Sequence, residues 1–240
     1  MFPFIVMSSI TPRKVFFSRN VPYAIEQFRQ RLAKAGANTS VSLESFALEE
    51  CCLSREELLK RVEGCTGLFC LLTDKVDAEV LRLLALHCVW CPLRLLASNH
   101  IDVESCKARK LRVGHTPGVL DVAVAETAVA LTFAAKRRVL ECAASAKNGE
   151  WGVWQPFQYC GSDVTDSSIG VVGLERIGAT YARMLKNSFN RKIFYAGPRE
   201  KSEIAKSLGG DPNSVKYVDM ETLLRQSDAI SLQWRLSTSR

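Results

Sequence analysis

Residues 167–188, SSIGVVGLERIGATYARMLKNS, restrict the fold more than any other part of this chain. An apolar run at 169–172 meets a glycine turn, and apolar residues then recur at helical spacing, which predicts strand, tight turn and helix. In that context the turn is read against G-x-G-x-x-G, the pattern that cradles a dinucleotide pyrophosphate. Gly173 and Gly178 take the first and third places, and Glu175 takes the second. The first glycine makes the turn, the second lets backbone approach the pyrophosphate, and the third lets helix pack on strand. Glu175 therefore puts a side chain where a ligand needs room, and a negative charge where a helix N-terminus attracts phosphate. An ordinary βα turn without a ligand is the competing reading of these residues alone.

The rest of the chain repeats the alternation. KVFFS (14–18) reads as a buried strand, followed by a helix in which Ile25, Phe28 and Leu32 share a face and Gly36 stops the run. Ser54 with Glu57 three residues on forms a capping box, and Gly64 ends that helix. GLFCLLT (67–73) is apolar throughout, as a strand covered on both faces would be, and a helical DAEVLRLLALH follows. LRVGHTPGV (111–119) carries a strand and a Gly/Pro break. A long Ala-rich helix then spans 120–147, with Gly149 beyond its end. After the aromatic connector EWGVWQPFQYCG and the glycine turn come a second strand, KIFYAG (192–197), a short helix and a third strand. Alternating strands and helices predict parallel sheets of the α/β class. The expected division is a loose segment 1–13, a first domain 14–113 and a second domain 114–240.

At the end of the second strand, where an acidic residue meets an NAD ribose, the chain reads YAGPRE. With no acid there and Arg199 just beyond Gly197, the expected cofactor is NADP(H) rather than NAD(H), its binding weakened by Glu175. The net charge of +7 is spread along the chain without a basic block, so a nucleic-acid partner is not expected. No stretch approaches the ~18 apolar residues of a membrane span. The opening MFPFIVMSSI lacks the basic flank of a secretory signal, and an organelle presequence stays open. Nine scattered cysteines then fit free thiols in a reducing compartment, the cytoplasm. Cys88-x-x-Cys91, with His100 and Cys106 beyond, could be read as a zinc pair, but the spacing of the second pair is irregular and no metal is expected.

Taken together, several segments resemble the D-2-hydroxyacid dehydrogenase family and, within it, the glyoxylate/hydroxypyruvate reductase branch. GLFCLLTDKVDAEVL is similar to that family's first-domain strand and substrate loop, and LRVGHTPGVLDVAVAETAVAL to its interdomain helix. KNGEWGVWQPFQYCG resembles the connector, and SSIGVVGLERIGATYARMLK the cofactor turn. The resemblance implies a flavodoxin-like substrate domain lacking its C-terminal return, plus an incomplete Rossmann domain with a doubly wound parallel sheet. It also implies hydride transfer between NAD(P)H and a small 2-oxo or 2-hydroxy acid, and a dimer joined through the long helix around Glu126. Leu72 and Thr73 would line the substrate pocket, with Leu96 and Ala97 where backbone amides hold the substrate carboxylate. Trp154 would reach the partner's site. Leu174, Arg176 and Ile177 would sit over the pyrophosphate with Gly173 and Gly178, and Gly197 and Arg199 would face the ribose.

The chain also departs from the family pattern. Ala97 and Asn99 replace a glycine and an aspartate, and Pro92 in the strand before them suits only an edge or a bulge. The family's catalytic arginine and its glutamate–histidine pair follow the third nucleotide-domain strand, where this sequence stops, so no catalytic residue is assigned. The expectation is a reductase-like chain of weak or no activity. The alternatives are a non-catalytic module pairing with itself or with a full-length relative, and a shortened product without an independent role.

Overall fold

The computed structural model describes residues 13–36, 41–46, 53–85, 88–90, 100–114, 116, 118–189, 192–209 and 214–234. They fall into two compact units, Met1–Pro117 and Gly118–Arg240.

The first unit is a five-stranded parallel sheet in the order β2-β1-β3-β4-β5. Its strands are β1 (Arg13–Phe17), β2 (Val41–Ser45), β3 (Gly67–Phe69), β4 (Cys88–Trp90) and β5 (Arg112–Gly114). Helices α1 (Pro22–Lys34), α2 (Arg55–Val62), α3 (Ala78–Leu83) and α4 (Val103–Ala108) connect them. This is the flavodoxin-like order, in which the direction of travel across the sheet reverses between β1 and β3. Phe16, Leu68, Leu58, Val62, Val80 and Leu81 form its core and are shielded from water.

Ser54 caps α2 by accepting the Glu57 amide at 3.2 Å, but the reciprocal half of the capping box is replaced. The Glu57 carboxylate instead pairs forward with Arg61 at 2.5 Å, one helical turn on. The strand expected over 67–73 is also shorter than its apolar run. Pairing ends at Phe69, because Asp74 folds back and accepts the Leu71 amide at 2.7 Å, turning the chain into a loop. β4 is an interior strand over Cys88–Trp90, and the edge or bulge expected at Pro92 falls beyond it. Pro92 itself lies outside the described residues. β2, an edge strand whose residues alternate between half-buried and exposed, has no counterpart among the elements expected from sequence.

The second unit begins with α5 (Asp121–Lys136) and α6 (Val139–Lys147), where one long helix was expected. Arg138 breaks it by adopting φ 54°, the left-handed region that residues with a Cβ seldom enter. The cause lies downstream. The Ser162 amide donates to the Lys136 carbonyl at 2.8 Å, and Gly161 packs so closely there that a methyl would overlap that oxygen. The carbonyl is thus drawn out of the helical ladder.

A four-stranded parallel sheet follows, in the order β8-β7-β6-β9. Its elements are β6 (Ile169–Val172), α7 (Arg176–Phe189), β7 (Ile193–Ala196), α8 (Ser202–Ser207), β8 (Val215–Tyr217), α9 (Met220–Gln226) and β9 (Ala229–Leu232). This is the 3-2-1-4 order of the dinucleotide-binding α/β fold, with its switch point between β6 and β9. β8, only three residues long, is a fourth strand beyond the three read from sequence. Tyr181, Leu185, Ile169, Ile193 and Tyr195 fill the core, and the Tyr181 hydroxyl meets Thr132 of α5 at 2.8 Å.

The Asp228 carboxylate ties the start of β9 to β6, accepting the Ser168 amide at 2.7 Å and its hydroxyl at 2.8 Å. These two bonds, helped by the nearby Lys136 charge, hold its carboxyl below the usual carboxylate range. A depressed folded value means that the tie stabilises fully above the ordinary carboxylate pKa of about 4 and is lost as pH falls through the folded value. The Asp228→Asn variant is therefore expected to have a lower urea midpoint than the native chain at neutral pH. The gap should close on acidification below the ordinary carboxylate pKa.

Candidate functional site

The glycine turn lies at the carboxyl end of β6, between that strand and α7. Gly173 has φ +96°, a conformation strained for any other residue, and a methyl there would stand 2.9 Å from the Gln233 carbonyl oxygen. Its amide donates to the Ala196 carbonyl at 2.9 Å, which pins the turn across β7. Gly178 faces the Gly173 carbonyl so closely that a methyl would overlap it. The two glycines thus bring the first turn of α7 down onto the strand end, the packing that a dinucleotide site requires. The first intrahelical bond runs from the Ala179 amide to the Glu175 carbonyl at 2.7 Å. The amides of Arg176, Ile177 and Gly178 precede it and have no partner within the helix, so they form a ready anion cradle.

The side chains around this cradle have distinct tasks. Leu174 is buried in the core, so only its backbone is available to a ligand. Ile177 is half-buried. Arg176 donates from Nε to Asp121 Oδ2 at 2.9 Å, fixing the turn to the start of α5. Glu175 is exposed and pairs with Lys201 Nζ at 2.6 Å, while the Lys201 side chain is largely covered. Lys201 was not singled out in the sequence, because nothing in its spacing from Glu175 shows that the end of β7 returns to the turn. The cradle's backbone shape fits a nicotinamide dinucleotide. Its one departure, Glu175, is partly neutralised within the protein.

Beyond β7, Gly197 accepts the Tyr217 hydroxyl at 2.9 Å and Arg199 is exposed to solvent. Trp234 borders the same strand ends. Its Cα lies 3.4 Å from where a Cβ on Gly173 would stand, and its ring edge 3.9 Å from the corresponding point at Gly197. In the first unit, Leu72 and Thr73 are exposed on the loop after β3. Trp154 is also exposed, on the connector after α6. Leu96 and Ala97 lie outside the described residues. The structure thus gathers Gly173, Leu174, Arg176, Ile177, Gly178, Gly197 and Arg199 at the strand ends of one sheet, with Leu72 and Thr73 at a strand end of the other. Among the described residues, no group of three His, Cys, Asp or Glu side chains is placed to hold a metal ion. No helix there is long and apolar enough to cross a membrane.

Two family models match the chain: the D-isomer specific 2-hydroxyacid dehydrogenase catalytic domain over residues 15–156, and the NAD binding domain of the same family over 129–239. The chain belongs to the D-isomer specific 2-hydroxyacid dehydrogenases. It is 36% identical over 203 residues to the glyoxylate reductase of Thermofilum pendens, covering 77% of this chain and 56% of that protein. It is 33% identical over 224 residues to the glyoxylate reductase/hydroxypyruvate reductase of Homo sapiens, covering 93% of this chain and 65% of that protein. Among solved structures, the TT0316 protein from Thermus thermophilus superposes with a TM-score of 0.76 at 32% identity, covering 94% of this chain and 66% of that one. This 2-hydroxyacid dehydrogenase chain therefore spans roughly half to two thirds of the length of these relatives. The first unit carries most of the family's catalytic-domain match, and the glycine turn lies within its NAD-binding domain.

Proposed function

We propose that this chain serves the chemistry of the glyoxylate/hydroxypyruvate reductases, with NADP(H) favoured over NAD(H) and with weakened cofactor affinity. The observation that carries the reading is the turn at Gly173–Gly178, whose left-handed glycine and close helix packing serve a pyrophosphate. When bound, a reduced nicotinamide supplies the hydride that converts a 2-oxo acid to a 2-hydroxy acid. The chain's own part is to seat the phosphates on the amides of Arg176, Ile177 and Gly178 and to present the Leu72–Thr73 loop to the acid. The NADP preference is supported by the end of β7, which has Gly197 and exposed Arg199 where an acidic side chain would repel a 2′-phosphate. Weak affinity, and with it weak reduction of glyoxylate or hydroxypyruvate, follows from Glu175 in the place of the second glycine. Buried thiols at Cys65, Cys70 and Cys106 support a reducing compartment, the cytoplasm.

The test is to titrate the chain with NADPH and NADH, following the fluorescence of Trp234 beside the turn. Where the native chain binds too weakly to resolve the two, Glu175→Gly serves as the background. NADPH is expected to bind about tenfold tighter, the size of one charge-assisted hydrogen bond, and Arg199→Ala to remove the difference. Equal binding of both cofactors would overturn the preference.

The partner we propose is a second copy. Val122, Leu131, Val139, Leu140, Trp154 and Phe157 are large apolar side chains left exposed along α5, α6 and the connector. So many on consecutive elements support an interaction face rather than a solvated one. Sedimentation equilibrium is expected to show a dimer, and Leu140→Asp to shift it toward monomer.

A further inference from the structure

The first unit buries a charged cluster under the loop that carries Leu72 and Thr73. It sits at the carboxyl ends of β1 and β3, the pair where the sheet order reverses and where open α/β sheets take ligands. Ser18 and Arg19 follow β1, and residues 71–74 follow β3. Arg19 is 9% exposed and Asp74 4%. Asp74 Oδ2 accepts the Leu71 amide at 2.7 Å and also the Ser18 hydroxyl. Arg19 Nη1 donates to the Ser18 carbonyl at 2.7 Å, and Nη2 to Thr73 Oγ1 at 3.3 Å. The guanidinium comes no nearer to Asp74 Oδ1 than 3.9 Å. Charges this far from water recover little net stability from so loose a pair. What the cluster provides is direction, because each of its bonds fixes part of one short loop.

The consequence falls on the Thr73 hydroxyl. Its oxygen accepts from Arg19, so its single proton points away from the guanidinium, and the residue is exposed. A hydroxyl that accepts from a cation is polarised into a better donor. Among the described residues, the amides of Leu72 and Thr73 have no acceptor. The Thr73 hydroxyl is therefore an exposed donor with a buried positive charge one hydrogen bond behind it, on a loop whose two neighbouring amides are not used within the described residues.

We propose that Arg19 is a positioning residue that sets the Thr73 hydroxyl as a further, specificity-determining donor to the 2-oxo acid, whose carboxylate the resemblance seats on the Leu96 and Ala97 amides. The inference rests on the reading of this loop as the substrate loop. Asp74 and Ser18 hold the loop, Arg19 sets the hydroxyl, and Thr73 makes the contact.

The experiment titrates the full chain with glyoxylate and follows the Leu72 and Thr73 amide resonances by NMR. Saturable shifts are expected in the native chain. Thr73→Val should weaken binding about tenfold and Thr73→Ser by no more than about twofold, since only the former loses the hydroxyl. Arg19→Met should weaken it as much as Thr73→Val, and the double variant should be no worse than either, because the two residues act as one donor. If Arg19→Met does not melt cooperatively, the Thr73 variants decide, since an exposed side chain can be changed without disturbing the core. Glyoxylate binding that is unaffected by Thr73→Val, or losses that add in full in the double variant, would overturn the inference alone. No glyoxylate shift in the native chain would overturn both it and the substrate-loop reading.

Discussion

Replacing Glu175 with glycine is expected to tighten NADPH binding about tenfold at physiological salt, and by more at low salt. Two unit charges at 4 Å repel by about 1 kcal/mol in water and about 4 kcal/mol at the effective dielectric near a protein surface. The first figure alone is about a fivefold change in affinity, and any lowering of the local dielectric carries it to about tenfold. Exposed charges are screened beyond about 8 Å at physiological ionic strength, which is why the gain should grow as salt is removed. Glu175 is not among the residues with positive φ, so glycine is not needed there to relieve the backbone. What it removes is a carboxylate and its bulk. The Glu175→Gln variant separates the two, keeping the volume and losing the charge. Unchanged NADPH affinity in Glu175→Gly would sink the account of the turn.

Lys201 lowers the size of that effect and supplies a second check. From sequence alone, Glu175 reads as an uncompensated negative charge in a phosphate cradle. In the folded chain it meets Lys201 at 2.6 Å, so much of its field is cancelled locally. Removing the lysine with Lys201→Ala should therefore weaken NADPH binding further, while the double variant with Glu175→Gly should recover part of the loss. The lysine thus has two anions available to it, and a bound phosphate must compete with the internal carboxylate.

How far such features can be read from sequence depends on how local their causes are. The turn was legible because Gly173 and Gly178 act over six residues, and a left-handed φ or a close contact at that range restricts residue type. The helices α1, α2 and α7 were legible for the same reason, from apolar spacing and caps. The break at Arg138 was not, since KRR contains neither glycine nor proline and its cause, the Gly161–Ser162 backbone, lies more than twenty residues on. β2 and β8 were missed because short strands with few large apolar residues leave little period to detect. Arg19 with Asp74, and Glu175 with Lys201, are pairings made by the sheet order, which brings strand ends together from distant parts of the chain.

Gly178→Ala is expected to cost more stability than any other single methyl added at the site, and to abolish NADPH binding with it. The added carbon would overlap the Gly173 carbonyl oxygen, a backbone atom held in a turn that is itself pinned to Ala196 and Gln233. No flexible side chain is there to yield, so α7 must lift from β6. Overpacking of this kind costs about 3 kcal/mol, at the upper end of its usual range. For a unit of this size, that is a fall in melting temperature of order 10 °C. Gly197 supplies the control within the same site. A methyl there meets its nearest neighbours at 3.8 and 3.9 Å, ordinary contact distances, and its backbone is not left-handed. Gly197→Ala should therefore melt close to the native chain, within about 0.5 kcal/mol. Because both substitutions add the same methyl group beside the same ligand cradle, a difference between them isolates the close helix approach. If both variants melted with the native chain, α7 could move off the strand without cost, and the glycine spacing would carry no structural meaning.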